Sequence, residues 1–170
     1  TRYLLLSACS FGKDGDISRE KLLEKYNTDL ASGLGNLVAR IITLAVKTKN
    51  RELRIKFKDQ NLQIKKVIKS SWQNYKKFLD LCKLDKALRE IQELISFCDR
   101  YIEKKKPWEK SKNRLLVIND LLIILTNITQ MLQPFLPETS EKIFKQLGLR
   151  LNSQEWYFKV RKDKILFPRI

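Results

Sequence analysis

The sequence predicts an all-α fold, a helical bundle with a short extended C-terminal tail, and three observations carry that prediction. Apolar residues recur with a 3.6-residue period over long stretches, the mark of helices with one buried face. Only five glycines and four prolines interrupt the 170 residues. One stretch, Leu115 to Leu132, is apolar nearly all round, as a helix packed on several sides must be.

Each element has its own signals. Thr1 to Ala8 is an apolar lead-in, followed by a polar turn at Phe11-Gly12-Lys13-Asp14-Gly15-Asp16. Ser18 fits the N-cap of a short helix ending near Tyr26, because its hydroxyl can accept from a free first-turn N–H. A second helix is expected to start at Thr28-Asp29, with Leu30, Leu34, Leu37, Val38, Ile41 and Ala45 as one buried stripe. Lys49 to Lys58 is charged without a clear period and is expected to be a solvated connection. The next helix carries Ile64, Val67, Ile68, Trp72, Tyr75, Phe78, Leu79 and Cys82 on one side. Asp85 is the expected cap of another, whose stripe is Leu88, Ile91, Leu94, Ile95, Cys98, Tyr101 and Ile102. Pro107 ends that pattern and Pro134 ends the central helix, since proline lacks an N–H and clashes with the preceding turn. Pro137 suits the first turn of a last helix, Glu138 its positive N-terminus, and Gly148 its C-terminal stop. The tail from 149 to 170 holds Trp156, Tyr157, Phe158, Val160, Ile165 and Phe167 in partial alternation, as a short extended segment laid on the bundle would. The organisation expected is thus residues 1–17 as a connector, 18–148 as the bundle and 149–170 as the packing tail.

Charge narrows the function classes. Thirty-five Lys and Arg face nineteen Asp and Glu, for a formal charge of +16. Like charges repel in a compact chain, so a polyanionic partner is the economical explanation and nucleic acid leads. Histidine is absent, which removes the commonest acid–base and metal-ligand side chain. Cys9, Cys82 and Cys98 have no paired spacing for zinc, and Cys82 and Cys98 are expected to be small buried hydrophobes. No metal site, no catalytic residue and no signal segment is expected. The run Leu115 to Leu125, broken by Asn119-Asp120, is expected to be too short for a bilayer, so no membrane partner is expected. Met131 is the one methionine, and a piece of a longer protein is therefore expected.

Two places carry candidate chemistry. Asn36 and Arg40, four apart, lie one above the other on a helix, opposite the apolar stripe, with Thr43 and Lys47 on the same outer side. An amide can pair with a base edge, and a guanidinium can fork onto a base or phosphate or stack on a ring. Trp108 lies in Lys104-Lys105-Lys106-Pro107-Trp108-Glu109-Lys110-Ser111-Lys112, where an indole can stack an unpaired base and lysines can neutralise phosphates. Lys47, Lys104, Lys105, Lys106, Lys110 and Lys112 are the candidate phosphate contacts. The alternatives at this level are an ordinary solvated helix face and an indole that plugs a seam between helices. Lys65, Lys66, Lys69, Lys76 and Lys77 read as solvated faces.

A set of short motifs, in order along nearly the whole chain, resembles the anticodon-binding domain of methionyl-tRNA synthetase. They are Asp14-Gly15-Asp16, Tyr26-Asn27-Thr28-Asp29-Leu30-Ala31, Leu34-Gly35-Asn36-Leu37 with Arg40, Tyr101-Ile102 with Pro107-Trp108, Pro134-Phe135-Leu136-Pro137-Glu138-Thr139 and Leu166-Phe167-Pro168-Arg169-Ile170. Arg2-Tyr3-Leu4-Leu5-Leu6 resembles the exit from that family's catalytic domain. The resemblance implies an α-helical bundle that recognises the CAU anticodon of methionine tRNA. It implies that Asn36 and Arg40 contact anticodon bases and that the first anticodon base stacks on Trp108. Asp99 departs from the family, many members of which carry Asn there, and an acidic group would disfavour a nearby phosphate. The implied partners are methionine tRNA, through its anticodon stem-loop, and an upstream catalytic domain of the same polypeptide. ATP with Mg would act in that upstream domain, and no cofactor in this chain, in a cytoplasmic enzyme. The rivals are the anticodon-binding domain of another class I synthetase, for cysteine, leucine, isoleucine or valine, and a basic helical protein-docking scaffold.

Overall fold

A computed structural model describes residues 1–8, 17–48, 52–56, 59–109, 113–151 and 155–170. The polar turn at 11–16 with its Asp14-Gly15-Asp16 motif, Cys9, Lys110 and Lys112 lie outside the described residues. The helices are α1 (Arg2–Ala8), α2 (Arg19–Lys25), α3 (Asn36–Val46), α4 (Leu62–Asp80), α5 (Leu84–Lys105), α6 (Arg114–Leu132) and α7 (Pro137–Leu147). Strands β1 (Glu52–Lys56), β2 (Arg150–Leu151) and β3 (Glu155–Lys159) form an antiparallel sheet in the order β1-β3-β2.

Helix α6 is the axis of the bundle. Fourteen of its nineteen residues are buried, including Ile118, Leu121, Leu122, Ile124, Leu125 and Ile128, which have no exposed surface. Each such side chain contributes about 1.5–3 kcal/mol when removed from water. Its two buried threonines are satisfied locally: the Thr126 and Thr129 hydroxyls donate to the carbonyls of Leu122 and Leu125 at 2.9 and 2.7 Å. Asn127 donates to the Ile123 carbonyl at 2.8 Å and accepts from the Trp72 indole of α4 at 2.8 Å. Tyr75, one turn further along α4, donates to the Met131 carbonyl at 2.7 Å. The run Leu115–Leu125 belongs to a longer helix, Arg114–Leu132, which by length and hydropathy alone could cross a membrane; 78 % of its most apolar window is instead buried in protein. Arg19–Val46 passes the same test of length and composition with 44 % buried.

The expected break near Thr28 is absent. Helices α2 and α3 join through a π-helical segment, Tyr26–Gly35, into one continuous rod. Ser18 caps its start, accepting from the Lys21 N–H at 3.2 Å. Thr28 does not cap; its hydroxyl donates back to the Glu24 carbonyl at 2.8 Å. The segment is gripped by the C-terminal tail. Tyr26 donates to the Pro168 carbonyl at 3.0 Å, and the Asn27 amide donates to the Ile170 carbonyl at 2.7 Å and accepts from the Ile170 N–H at 3.2 Å. The Phe167 ring meets Tyr26 edge-on at 6.1 Å and lies over Gly35, where a Cβ would stand 3.5 Å from it and 3.0 Å from the Leu30 carbonyl oxygen. A widened turn with a bare backbone thus makes room for the tail.

Three further expectations are corrected. The 49–58 stretch is not wholly a solvated connection: β1 buries Leu53 and Ile55 against the bundle and exposes Glu52, Arg54 and Lys56. It pairs with β3 in the register Glu52 with Lys159 through Lys56 with Glu155. The period of two was present in Glu-Leu-Arg-Ile-Lys, but the flanking charges masked it. Cys82 is exposed, at φ 52° in the turn between α4 and α5, whereas Cys98 is buried as expected. The cap position of α5 is Lys83, and Asp85 lies in the first turn. Elsewhere the stripes hold: Leu30, Leu34, Leu37, Val38, Ile41, Ala45, Leu88, Ile91, Leu94, Ile95 and Ile102 are all buried. Phe158 and Val160 of the tail and Tyr3 of α1 join the same core.

Gly148 closes α7 at φ 55°, and a Cβ there would meet the Lys159 carbonyl oxygen at 2.4 Å. Gly148→Ala is expected to cost about 1–3 kcal/mol, since it adds a left-handed non-glycine residue and displaces β3. A lowered urea midpoint at unchanged slope would show this, and an unchanged midpoint would refute it.

Candidate nucleic-acid interface

Two helices that run in the same direction build the candidate site. The π-helical segment meets the first half of α5, where Gln92 donates to Tyr3 at 2.6 Å and Tyr3 donates to Asp29 at 3.0 Å. Further along, α3 meets the second half of α5 through Arg40. The C-terminal ends of both helices therefore lie at the same end of the bundle, Lys47 on one and Lys104, Lys105 and Lys106 on the other, all exposed. Lysines in a last turn also complement the partial negative charge of a helix C-terminus.

Helix α5 stops because Lys106 takes a left-handed conformation, φ 42°, with its N–H on the Ile102 carbonyl at 2.9 Å. Pro107 is buried and anchors the turn, which carries Trp108 out to 49 % exposure. The indole is not a seam plug. It lines a shallow open pocket of about 300 Å³ with Arg40, Thr43, Leu44, Ala39 and Ile102. The walls are mostly apolar, one side is the Arg40 guanidinium, and the mouth is open to solvent, which suits a flat aromatic ligand presented from outside.

Asn36, Ala39 and Lys47 are exposed on α3, as their phase relative to the stripe requires. Asn36 stands one turn before Arg40 and is not among the residues that line the pocket. Sequence reasoning placed Arg40 on the outer face but missed its partners. Its guanidinium donates to Asp99 Oδ1 at 3.1 Å and to Glu103 Oε1 at 2.6 Å, both on α5 and one turn apart. Burial raises the Asp99 carboxyl above its usual range; Arg40 opposes that and Glu103 adds to it. The side chains are 31 % exposed at Arg40, 38 % at Asp99 and 65 % at Glu103, so the pairs contribute only about 0–1 kcal/mol each to stability. Asp99 and Glu103 were visible in sequence as an i, i+4 acidic pair, but nothing local could connect them to a residue so far back. Of the other lysines, Lys105 Nζ lies 5.9 Å over the Tyr101 ring and Lys106 Nζ lies 3.7 Å from Glu109.

A separate polar network ties the start of α4 to α5 and α6. Buried Asp120 accepts from the Tyr101 hydroxyl at 2.7 Å and from the Asn61 amide at 3.2 Å, while Asn61 also caps α4 by accepting from the Gln63 N–H at 2.9 Å.

With this geometry in view, residues 61–165 match the model of a family described as the anticodon-binding domain of tRNA ligase. The chain belongs to that family. Residues 1–42 also match a family described as class I tRNA synthetases (M). A methionine–tRNA ligase of Caldanaerobacter subterraneus is 32 % identical over 99 % of this anticodon-binding domain and 29 % of its own length. The methionine–tRNA ligase of Ureaplasma parvum is 34 % identical over 99 % of the domain and 36 % of its own length. The domain spans about a third of such relatives. Among solved structures, ligand-free methionyl-tRNA synthetase of Mycobacterium tuberculosis superposes with a TM-score of 0.86 at 23 % identity, over 99 % of this domain and 38 % of that chain, a likeness of fold. The resemblance read from the motifs is borne out, and the fold is a mostly helical bundle with a small sheet.

The Asp120 network generates a pH prediction. Burial raises the Asp120 carboxyl, and the hydrogen bonds from Tyr101 and Asn61 only partly offset it. A folded-state value above the unfolded one means the folded domain holds this proton longer, so its contribution is present below the ordinary aspartate range and is lost as pH rises through the raised value. Asp120→Asn should therefore gain on the wild type as pH rises through that window. Denaturant midpoints of both proteins across mildly acidic pH would test this, and a pH-independent difference would exclude it.

Proposed function

We propose that this domain recognises the CAU anticodon of methionine tRNA as the RNA-reading part of a methionine–tRNA ligase. The observation that carries the reading is the shared pocket: Arg40 and Trp108, 68 residues apart in sequence, line one open, mostly apolar recess at the lysine-rich end of the bundle. The methionine–tRNA ligases among its relatives support methionine as the amino acid.

The mechanism follows from the groups present. Lys47, Lys104, Lys105 and Lys106 draw in the anticodon stem-loop by neutralising phosphates, with affinity falling as salt rises. Loop bases are unpaired, so their rings and edges are both available. The first anticodon base stacks on the exposed indole of Trp108, a contact worth about 1–3 kcal/mol. Arg40 and Asn36, stacked one turn apart on α3, test the base edges. Lys110 and Lys112, which follow in the sequence, are further candidate phosphate contacts. In this reading ATP and Mg serve an upstream catalytic domain of the same cytoplasmic polypeptide, and this domain selects the tRNA on which that chemistry acts.

Trp108→Ala and Arg40→Ala are each expected to weaken binding of a CAU stem-loop by about 1–3 kcal/mol. Fluorescence titration would measure this, and wild-type affinity in both variants would reject the site. Replacing CAU by an unrelated triplet is expected to abolish most of the binding above a salt-sensitive background. Equal affinity for both loops would leave only a nonspecific basic surface.

A further inference from the structure

Arg40, which lines the recess, is bound from α5 by an acidic pair that an anion-binding surface does not explain. Asp99 and Glu103 sit one turn apart on α5 in a chain of formal charge +16. Their carboxylates converge on one guanidinium, each taking an N–H from a different terminal nitrogen of Arg40. Local charge among these three groups is therefore one negative, not one positive.

We infer that Asp99 is a positioning residue for Arg40, and that with Glu103 it forms a two-carboxylate clamp that makes Arg40 a reader of uncharged base edges and not a phosphate anchor. This rests on the anticodon-binding reading above. A lone arginine on a helix face samples many rotamers and loses that freedom on binding. Here the fork is held before the ligand arrives: the Asp99 bond ties one terminal nitrogen and the Glu103 bond the other, which fixes the guanidinium plane. Two of its five N–H donors go to these carboxylates, leaving the rest of the fork for a ligand in the recess with Trp108. The same carboxylates repel a phosphate that approaches Arg40. A base edge that presents acceptors meets no such penalty, so the clamp sorts the two kinds of ligand at one cation. Asp99 is the better-buried of the two acids, 38 % against 65 % exposed, and so the less free to move.

The test is a titration of the chain with a labelled CAU stem-loop over a series of salt concentrations, alongside arginine side-chain NMR of the ligand-free chain. A lysine that neutralises a phosphate lowers the slope of log affinity against log salt by about one when removed. Arg40→Gln is expected to lower affinity about tenfold and leave that slope unchanged. Asp99→Ala is expected to lower CAU affinity about fivefold and to turn the hindered Arg40 side-chain signal into an averaged one. Asp99→Asn keeps an acceptor oxygen at the same place and should restore most of the affinity and the hindered signal. A slope reduced by about one in Arg40→Gln would make Arg40 a phosphate anchor and overturn the inference. So would wild-type affinity, or an unchanged Arg40 signal, in Asp99→Ala. Failure of the wild-type chain to bind the CAU loop would overturn the anticodon reading and this inference with it, whereas wild-type binding with an unaffected Asp99→Ala would overturn only the inference.

Discussion

Helix α6 has almost no solvent face, and the rest of the bundle is arranged by that constraint. A helix apolar on one stripe can rest against a single neighbour, but one buried on nearly every side must be enclosed. Helices α3, α4, α5 and α7 supply the enclosure, each with a single apolar stripe turned inward and its polar residues turned out. Three of the polar side chains that α6 carries, Thr126, Asn127 and Thr129, are satisfied by its own carbonyls or by α4, and Asp120 is satisfied by Tyr101 of α5 and by Asn61. Because α3 and α5 run the same way beside it, their C-terminal ends, and the lysines on them, collect at one end.

That end is where the candidate binding groups concentrate. The αL turn at Lys106 and the buried ring of Pro107 point Trp108 outward, and α3 lies close enough for Arg40 to form the opposite side of the recess. The indole alone would be a generic stacking platform. The guanidinium alone would be a generic cation. Their proximity makes a recess that can judge both the face and the edge of one base, which is what selective recognition of an unpaired nucleotide requires. The C-terminal tail contributes from a distance: by clasping Tyr26, Asn27 and Gly35 it holds the π-helical segment from which α3, with Asn36 and Arg40, continues.

The places where sequence reasoning failed have a common cause. The α2–α3 break was placed at Thr28-Asp29, residues that favour caps, but in the structure Thr28 is committed to its own helix and Asp29 accepts from Tyr3. Strand β1 was missed because its two apolar residues are flanked by charges, and its partner β3 lies about a hundred residues on. Cys82 falls on the extrapolated stripe of α4, yet the helix ends at Asp80, so the residue leaves the face that the period assigned it. Each error extends a local pattern past a point where a distant contact takes over.

Local physics determined a great deal. Periodicity, Ser18, Pro137 and Gly148 were enough to place the main helices, their buried stripes and the exposed side of α3, because a helix carries its own hydrogen bonds and phase within a few residues. The basic charge and the ordered motifs were enough to nominate Asn36, Arg40 and Trp108. The meeting of Arg40 with Trp108, and the grip of Asp99 and Glu103 on that guanidinium, were decided only by tertiary packing. Their positions in space depend on how α3 and α5 seat against α6, and no window of neighbouring residues encodes that.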